Sequence, residues 1–119
     1  MENYKDKNIK LANDIKEFLI KNNLAVDIKL YFNGMSYSWC DDEFYNKEPK
    51  IRDNDIGSKY FQYANDNTVS MSFEGPLHHL INYTARGQKR LLEKFNKIFD
   101  KNKCYYEQGY TWSLSVYYN

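Results

Sequence analysis

The chain contains few of the residues that crosslink or interrupt small proteins: its 119 residues include two cysteines, two prolines and five glycines. Two cysteines cannot build the disulfide framework of a small secreted domain. Cys40 and Cys104 are therefore expected to be reduced thiols in a cytoplasmic protein. A chain of this length is expected to form one domain, residues 1–119, that folds without metal or disulfide crosslinks.

Long apolar segments and a dominant charge are also missing. The polar start Met1–Asp6 leads into no apolar stretch of the kind found in secretory signals. No run is long enough to span a bilayer, so we expect no membrane contact. The formal net charge of +1 gives no global argument for a nucleic acid or for an acidic partner.

Aromatic side chains, in contrast, are abundant, with twelve tyrosines, seven phenylalanines and two tryptophans. Many lie on short alternating segments whose other positions are serine and threonine. Tyrosine beside small hydroxyl residues is typical of binding surfaces, because it offers a large rigid contact area at low entropic cost. Lysine, asparagine, isoleucine, tyrosine and phenylalanine share AT-rich codons. Base composition therefore contributes to the excess, and it indicates an AT-rich bacterium or one of its phages as the source.

The spacing of apolar residues predicts the first helix and the first hairpin. Leu11, Ile15 and Leu19 recur on one helical face. Residues 26–32 alternate as a strand and end at Asn33-Gly34, which favours a two-residue type I′ turn. The paired residues are then Phe32 with Met35, Leu30 with Tyr37, and Ile28 with Trp39.

A second hairpin and a second helix are predicted further along the chain. Residues 59–63 and 68–73 alternate as two strands. Gly75-Pro76 begins a helix, which is expected to falter at Arg86-Gly87 before it continues. Residues 41–57 break the strand rhythm and form a long acidic loop with six acids and three bases.

The last hairpin is predicted around Glu107–Gly109. A two-residue loop would place charged side chains on the apolar face, which is unfavourable. A three-residue loop with a G1 bulge at Gly109 avoids this and pairs Tyr106 with Tyr110. The final strand, residues 110–118, alternates throughout.

Together these segments predict an α+β fold of two layers, with the order α-ββ-ββ-α-ββ. An antiparallel sheet of about six strands would carry two helices on one face. The other face would be open, poor in charge and rich in hydroxyls and tyrosine. A solvated sheet face explains this composition, and a protein-binding face explains it as well. We predict partner contacts there and on the acidic loop, at Tyr31, Phe44, Tyr45, Tyr105, Thr111 and Tyr117.

A basic stripe supports a second hypothesis. Between Arg86 and Lys103 the chain carries seven bases and two acids. Such a stripe suits a solvated helix face, and it also suits phosphate neutralisation by a single-stranded nucleic-acid-binding protein. The residues that would bind nucleic acid are Arg86, Lys89, Arg90, Lys94 and Lys97.

Catalytic and metal-binding patterns are not visible in the sequence. His78 and His79 are adjacent, so on a helix they point about 100° apart and do not chelate one ion easily. We predict no metal and no cofactor, since no ligand spacing supports either. A small enzyme remains an alternative, and its catalytic groups would come from Glu74, His78 or Cys104.

Two segments, Met71–Leu77 and Tyr105–Trp112, resemble small accessory proteins of phages and conjugative elements of AT-rich bacteria. The matching segments lie in the second half of the chain. Small proteins in that setting often block host defence by binding, as anti-CRISPR and anti-restriction proteins do. The resemblance therefore implies a non-enzymatic inhibitor or modulator that binds a host protein. Pairing of a sheet edge with a second copy, which would give a homodimer, also stays open.

Overall fold

The computed structural model describes residues 4–84 and 86–119 and shows an α+β fold built on one six-stranded sheet. Residues 1–3, part of the polar start noted above, lie outside the described residues. The helices are α1 (Lys5–Lys21), α2 (Gly75–Tyr83) and α3 (Lys89–Lys101). The strands are β1 (Ile28–Phe32), β2 (Met35–Ser38), β3 (Lys50–Asp53), β4 (Val69–Phe73), β5 (Cys104–Gln108) and β6 (Ser113–Tyr118). All neighbouring strands are antiparallel, in the order β3-β2-β1-β4-β6-β5.

The hairpin predicted at Asn33-Gly34 is confirmed with its register. Phe32 pairs with Met35 and Leu30 with Tyr37. The turn residues have φ angles of +53° and +77°, as a type I′ turn requires. Here turn chemistry and apolar alternation favour the same pairing, which leaves no competing register.

The core lies between the sheet and the three helices. Each helix buries one apolar stripe, because its apolar residues recur every three or four positions. The helical core residues include Leu11, Ile15, Leu19, Leu77, Leu80, Phe95 and Phe99, all at most 2% exposed. They pack against Ile28, Leu30, Met71, Phe73, Leu114 and Val116, which the sheet presents from one face. We call this the helix face and its opposite the back face.

The predicted second helix is divided into two helices. It begins at Gly75 with Pro76 in its first turn, as predicted, and ends at Tyr83. Gly87 then adopts a φ of +93°, a conformation that favours glycine and does not continue an α-helix. The interruption expected at Arg86-Gly87 therefore separates α2 from α3.

Two strand predictions are wrong. Residues 59–63 do not form a strand, since Tyr63 has a φ of +73° and only Phe61 in this segment is buried. The strand that joins the sheet is β3, which lies inside the predicted acidic loop. All four β3 residues are exposed at the sheet edge, so burial imposes no apolar alternation on them.

The predicted register of the last hairpin is also wrong. Gln108 pairs with Leu114 and Tyr106 with Val116, which leaves Gly109 to Trp112 as the connection. Gly109 does not have a positive φ, so no G1 bulge forms. The difference in register is an even number of residues, so Tyr106 still faces the helices.

The back face is not open across its centre, which corrects the prediction of an uncovered face. Residues 54–67, which we call the strap, cross it between β3 and β4. The Ser115 hydroxyl donates a 2.6 Å hydrogen bond to the Tyr63 carbonyl, and the Phe61 ring lies 6.0 Å from that of Tyr31. As a result, hydroxyl residues expected at the surface are at most 4% exposed: Ser36, Ser38, Thr68, Ser70, Ser113 and Ser115.

One buried carboxylate fastens the strap to the sheet. Asp55 is 4% exposed and accepts hydrogen bonds from the Ser36 hydroxyl at 2.6 Å and the Lys29 ammonium at 3.1 Å. The Tyr60 hydroxyl donates to its second oxygen. Burial of Asp55 opposes ionisation, but the hydrogen bonds from Ser36, Tyr60 and Lys29 outweigh it and lower the pKa of the carboxyl.

A buried amide joins the ends of several elements. Asn8 of α1, 2% exposed, donates to the Asn33 side-chain oxygen at 3.0 Å and to the Asn67 carbonyl at 3.1 Å. The Tyr118 hydroxyl donates to the Asn8 side-chain oxygen at 2.6 Å. The first helix, the β1–β2 turn, the end of the strap and the last strand therefore meet at one side chain.

We expect Asp55→Asn to lower the free energy of unfolding by about 3 kcal/mol, because Lys29 would be left buried without its counter-charge. The folded pKa of Asp55 lies below the unfolded value of about 3.9, so its stabilisation is complete above that pH. It is lost as the pH falls through the folded pKa, so the variant should show a weaker acid dependence. Urea unfolding at several pH values measures both effects.

Asp53→Asn is the matched control, since Asp53 is exposed at the sheet edge two residues away. It should change the unfolding free energy by less than about 0.5 kcal/mol. Equal losses in the two variants would show that Asp55 does not anchor the strap.

Candidate functional site

A series of aromatic rings crosses the back face and joins the strap to the sheet. Tyr60 stacks on Tyr31 with ring centroids 5.8 Å apart, and Tyr31 contacts Phe61 at 6.0 Å. Phe61 meets Trp112 edge-on at 5.6 Å. Rings of the strap and rings of the sheet therefore form a second, smaller aromatic core at the centre of the back face.

The series continues to the surface at the β5–β6 hairpin. Trp112 and Tyr110 stack in parallel planes at 4.9 Å, and Tyr110 contacts Tyr63 at 5.6 Å. Tyr105 and Tyr117, paired across β5 and β6, stack at 5.7 Å. Tyr63 and Tyr117 line the same cleft.

Four of these residues form the candidate functional site, which we call the tyrosine surface: Tyr63, Tyr105, Tyr110 and Tyr117. Tyr63 is 58% exposed, Tyr105 48% and Tyr110 38%, whereas Tyr117 is half-buried. Neighbouring rings and the strand pairing hold all four in place. The surface can offer a preformed aromatic contact area with phenolic hydrogen-bonding groups at its edge.

Tyr63 is the member that the sequence does not reveal. It has a positive φ of +73°, and its backbone carbonyl accepts the hydrogen bond from Ser115. A Cβ at Gly109 would lie 2.9 Å from Cδ2 of the Tyr63 ring, so any larger residue would displace that ring. The nearest signal in the sequence is Gly109 itself, a glycine in a hairpin loop where no positive φ requires one.

Three of the predicted contact residues belong to the β5–β6 hairpin. Tyr105 and Thr111 are exposed and Tyr117 is half-buried. Tyr31 also faces the back but is only 5% exposed, because the strap covers it. Burial raises the pKa of Tyr31 to about 12, the hydrogen bond with Ser72 acting in the opposite direction. Tyr31 thus supports the strap instead of meeting solvent.

Phe44 and Tyr45 lie elsewhere. Phe44 ends a short 3₁₀ turn, Asp42–Phe44, and packs half-buried against the main core. The Tyr45 hydroxyl donates a 2.6 Å hydrogen bond to the Asp27 carboxylate, which raises the pKa of Tyr45 to about 12. Both residues fasten the β2–β3 connection near the start of β1. The structure does not bring them together with the tyrosine surface.

Four residues of the basic stripe lie on α3, on the helix side of the sheet, and Arg86 lies in the connection between α2 and α3. Arg86, Lys89, Arg90, Lys94 and Lys97 are all exposed. Within residues 4–84 and 86–119, no acid forms an ion pair with any of them. The other side of α3 packs on the helix face, so the sheet lies between the stripe residues of α3 and the tyrosine surface.

Glu74, His78 and Cys104, the alternative catalytic groups, have different surroundings. The Cys104 thiol is 2% exposed and donates to the Phe99 carbonyl at 3.4 Å. Burial and the nearby Asp100 charge raise its pKa to about 11, whereas a nucleophilic thiol needs a lowered one. Glu74 is exposed and His78 contacts the rings of His79 and Tyr83.

The cysteines and the potential metal ligands show how far the chain is crosslinked. Cys40, exposed, and Cys104 are both free thiols. In the part of the chain that the structure describes, no three histidine, cysteine or acidic side chains form a group that could hold a metal ion. None of the described helices is long and apolar enough to cross a bilayer.

Comparison with known proteins yields no match: no protein family, no curated protein and no solved structure is detectably similar to this chain. The candidate site therefore rests on the geometry of the molecule.

The close approach of Gly109 to Tyr63 can be tested by a double-mutant cycle. Gly109→Ala should lower the free energy of unfolding by about 1–3 kcal/mol, because the added methyl group displaces the Tyr63 ring. In a Tyr63→Gly background, where that ring is absent and positive φ is unstrained, the same change should cost less than about 0.5 kcal/mol. Urea unfolding of the four proteins gives the coupling energy. An equal cost in both backgrounds would contradict the packing described here.

Proposed function

We propose that this protein is a non-enzymatic binding module that contacts another protein through its tyrosine surface. The observation that carries this proposal is the grouping of Tyr63, Tyr105, Tyr110 and Tyr117 along the β5–β6 side of the back face, with Tyr63, Tyr105 and Tyr110 between 38% and 58% exposed. Tyrosines held in this way resemble the anchors of protein interfaces, where tyrosine is enriched and lysine depleted.

Preorganisation supports the proposal. Each tyrosine already contacts another aromatic ring, and the strand pairing of β5 with β6 fixes the backbones of Tyr105 and Tyr117. A partner would then pay little conformational entropy to order these side chains. Grouped exposed aromatic area on a small protein is typical of an interaction site.

The partner that we propose is a host protein, inhibited or modulated by a protein of a mobile element. This part of the proposal draws on the resemblance of the segments Met71–Leu77 and Tyr105–Trp112 to accessory proteins of phages and conjugative elements. The second segment contains Tyr105 and Tyr110 of the tyrosine surface.

The first test is capture of the partner and measurement of its affinity for variants. A tagged protein is incubated with lysate of an AT-rich bacterium, with and without nuclease, and a protein retained under both conditions is purified. We expect Tyr105→Ala to weaken its binding about 10- to 100-fold, an effect typical of an interface anchor. The melting temperature should hardly change, because Tyr105 is largely exposed.

Tyr83→Ala is the matched control, since Tyr83 is 69% exposed but lies on α2. It should bind as tightly as the unaltered protein. If the triple variant Tyr63→Ala/Tyr105→Ala/Tyr110→Ala binds the partner as tightly as the unaltered protein, the tyrosine surface is not the contact site.

The exposed lysine and arginine side chains of α3 keep binding of single-stranded nucleic acid as the second candidate function. Fluorescence anisotropy with a labelled single-stranded oligonucleotide at 50–200 mM salt separates the two functions. We expect no binding that falls steeply with salt. A plot of log affinity against log salt concentration with a slope of about −0.7 for each phosphate neutralised would indicate phosphate contacts. If the double variant Lys94→Gln/Lys97→Gln also lost this binding, the function would be assigned to the basic stripe.

A further inference from the structure

A cleft opens between the strap and the β5–β6 hairpin, within the tyrosine surface. It has a volume of about 210 Å³, far more than the roughly 15 Å³ that one ordered water needs. Its lining residues are Tyr63, Glu107, Gln108, Gly109 and Tyr117. The cleft therefore combines two aromatic walls with a carboxylate and an amide.

The Tyr63 wall is held at a cost. A bulky residue is strained at a φ of +73°, because its side chain crowds the backbone there. The Tyr63 ring is 58% exposed, so little burial offsets that strain. The Ser115 hydrogen bond and the close approach of Gly109 keep the ring over the hairpin. A strained and exposed aromatic residue fixed by its neighbours is typical of a ligand-contacting position.

The acidic group of the cleft is the Glu107 carboxylate. Glu107 lies two residues after Tyr105 on β5, and the register places it opposite Ser115 and diagonal to Tyr117. Its side chain therefore shares the back face with both tyrosines. Among the described residues, no lysine or arginine forms an ion pair with it.

A cleft lined by tyrosine rings and a carboxylate favours a cationic ligand. A planar guanidinium can stack on a tyrosine ring and donate two parallel hydrogen bonds to one carboxylate, whereas an ammonium is a compact and strongly hydrated point charge. An anionic ligand such as a nucleic-acid phosphate would meet repulsion from Glu107. We propose that this cleft receives an arginine side chain of the partner protein, stacked against Tyr63 and Tyr117 and paired with Glu107.

This inference rests on the proposed function, but its chemistry can be tested without the partner. The probe is N-acetyl-arginine methylamide, titrated into the labelled protein while amide and aromatic-ring resonances are followed by NMR. The neutral isostere N-acetyl-citrulline methylamide and the corresponding lysine compound serve as ligand controls. We expect shifts concentrated at Tyr63, Glu107 and Tyr117 with the arginine compound, and at least tenfold weaker apparent binding with citrulline.

Glu107→Gln should weaken the arginine response at least tenfold, while Glu93→Gln, a change at an exposed acid of α3, should leave it unaltered. Both positions are on the surface, so the folded spectrum is the internal control for each variant. Equal responses to arginine and citrulline, an unaltered response in Glu107→Gln, or no response would each overturn the inference.

Binding of the captured partner by two variants distinguishes failure of the arginine proposal from failure of the tyrosine-surface proposal. Loss of binding in Tyr105→Ala but full binding in Glu107→Gln would keep the tyrosine surface and remove the arginine. If an arginine enters the cleft, we expect both Tyr105→Ala and Glu107→Gln to lose binding to the partner. The affinity of Glu107→Asp should then lie between that of Glu107→Gln and that of the unaltered protein. Full binding in both would overturn the two proposals together.

Discussion

The Asp55 carboxylate is the constraint on which the back face depends. A charge removed from water is tolerated only where hydrogen bonds and a counter-charge replace its hydration, and Lys29, Ser36 and Tyr60 provide them. Because Asp55 stands at the start of the strap, its position directs residues 54–67 across the sheet. The aromatic contacts of Phe61 and Tyr63 follow from that path, and so does the cleft.

Coverage of both sheet faces also explains the unusual composition of the strands. Antiparallel strands with one solvated face are expected to carry polar residues there, and the serines of β2, β4 and β6 fit that pattern. Here those small hydroxyls leave room for a strap that packs closely on them and satisfies them with hydrogen bonds. Ser36 donates to Asp55 and Ser115 to the Tyr63 carbonyl. Composition alone does not distinguish a hydroxyl that meets water from one that meets the strap.

Local signals determine how much of this molecule can be predicted. The β1–β2 hairpin is predictable because the Asn33-Gly34 turn and the apolar pairs agree. Strand β3 is not, because an edge strand of Lys50–Asp53 buries none of its residues and carries no alternation. The strap has the aromatic composition of a strand, so its sequence suggests a strand. Long-range contacts of Asp55 and Phe61 direct it across the back face instead. For the same reason Tyr105 and Tyr117 can be identified from the sequence and Tyr63 cannot.

The strap and the hairpin each supply part of the tyrosine surface, and this division couples recognition to folding. A partner that contacts Tyr63 and Tyr105 together holds the strap against β5 and β6, so its binding energy would also oppose local detachment of residues 54–67. By reciprocity, a change that populates the detached strap would weaken the complex, in proportion to the fraction of molecules in which the strap is detached. Ser36, buried on β2 beneath the strap, would then influence affinity without contacting the partner.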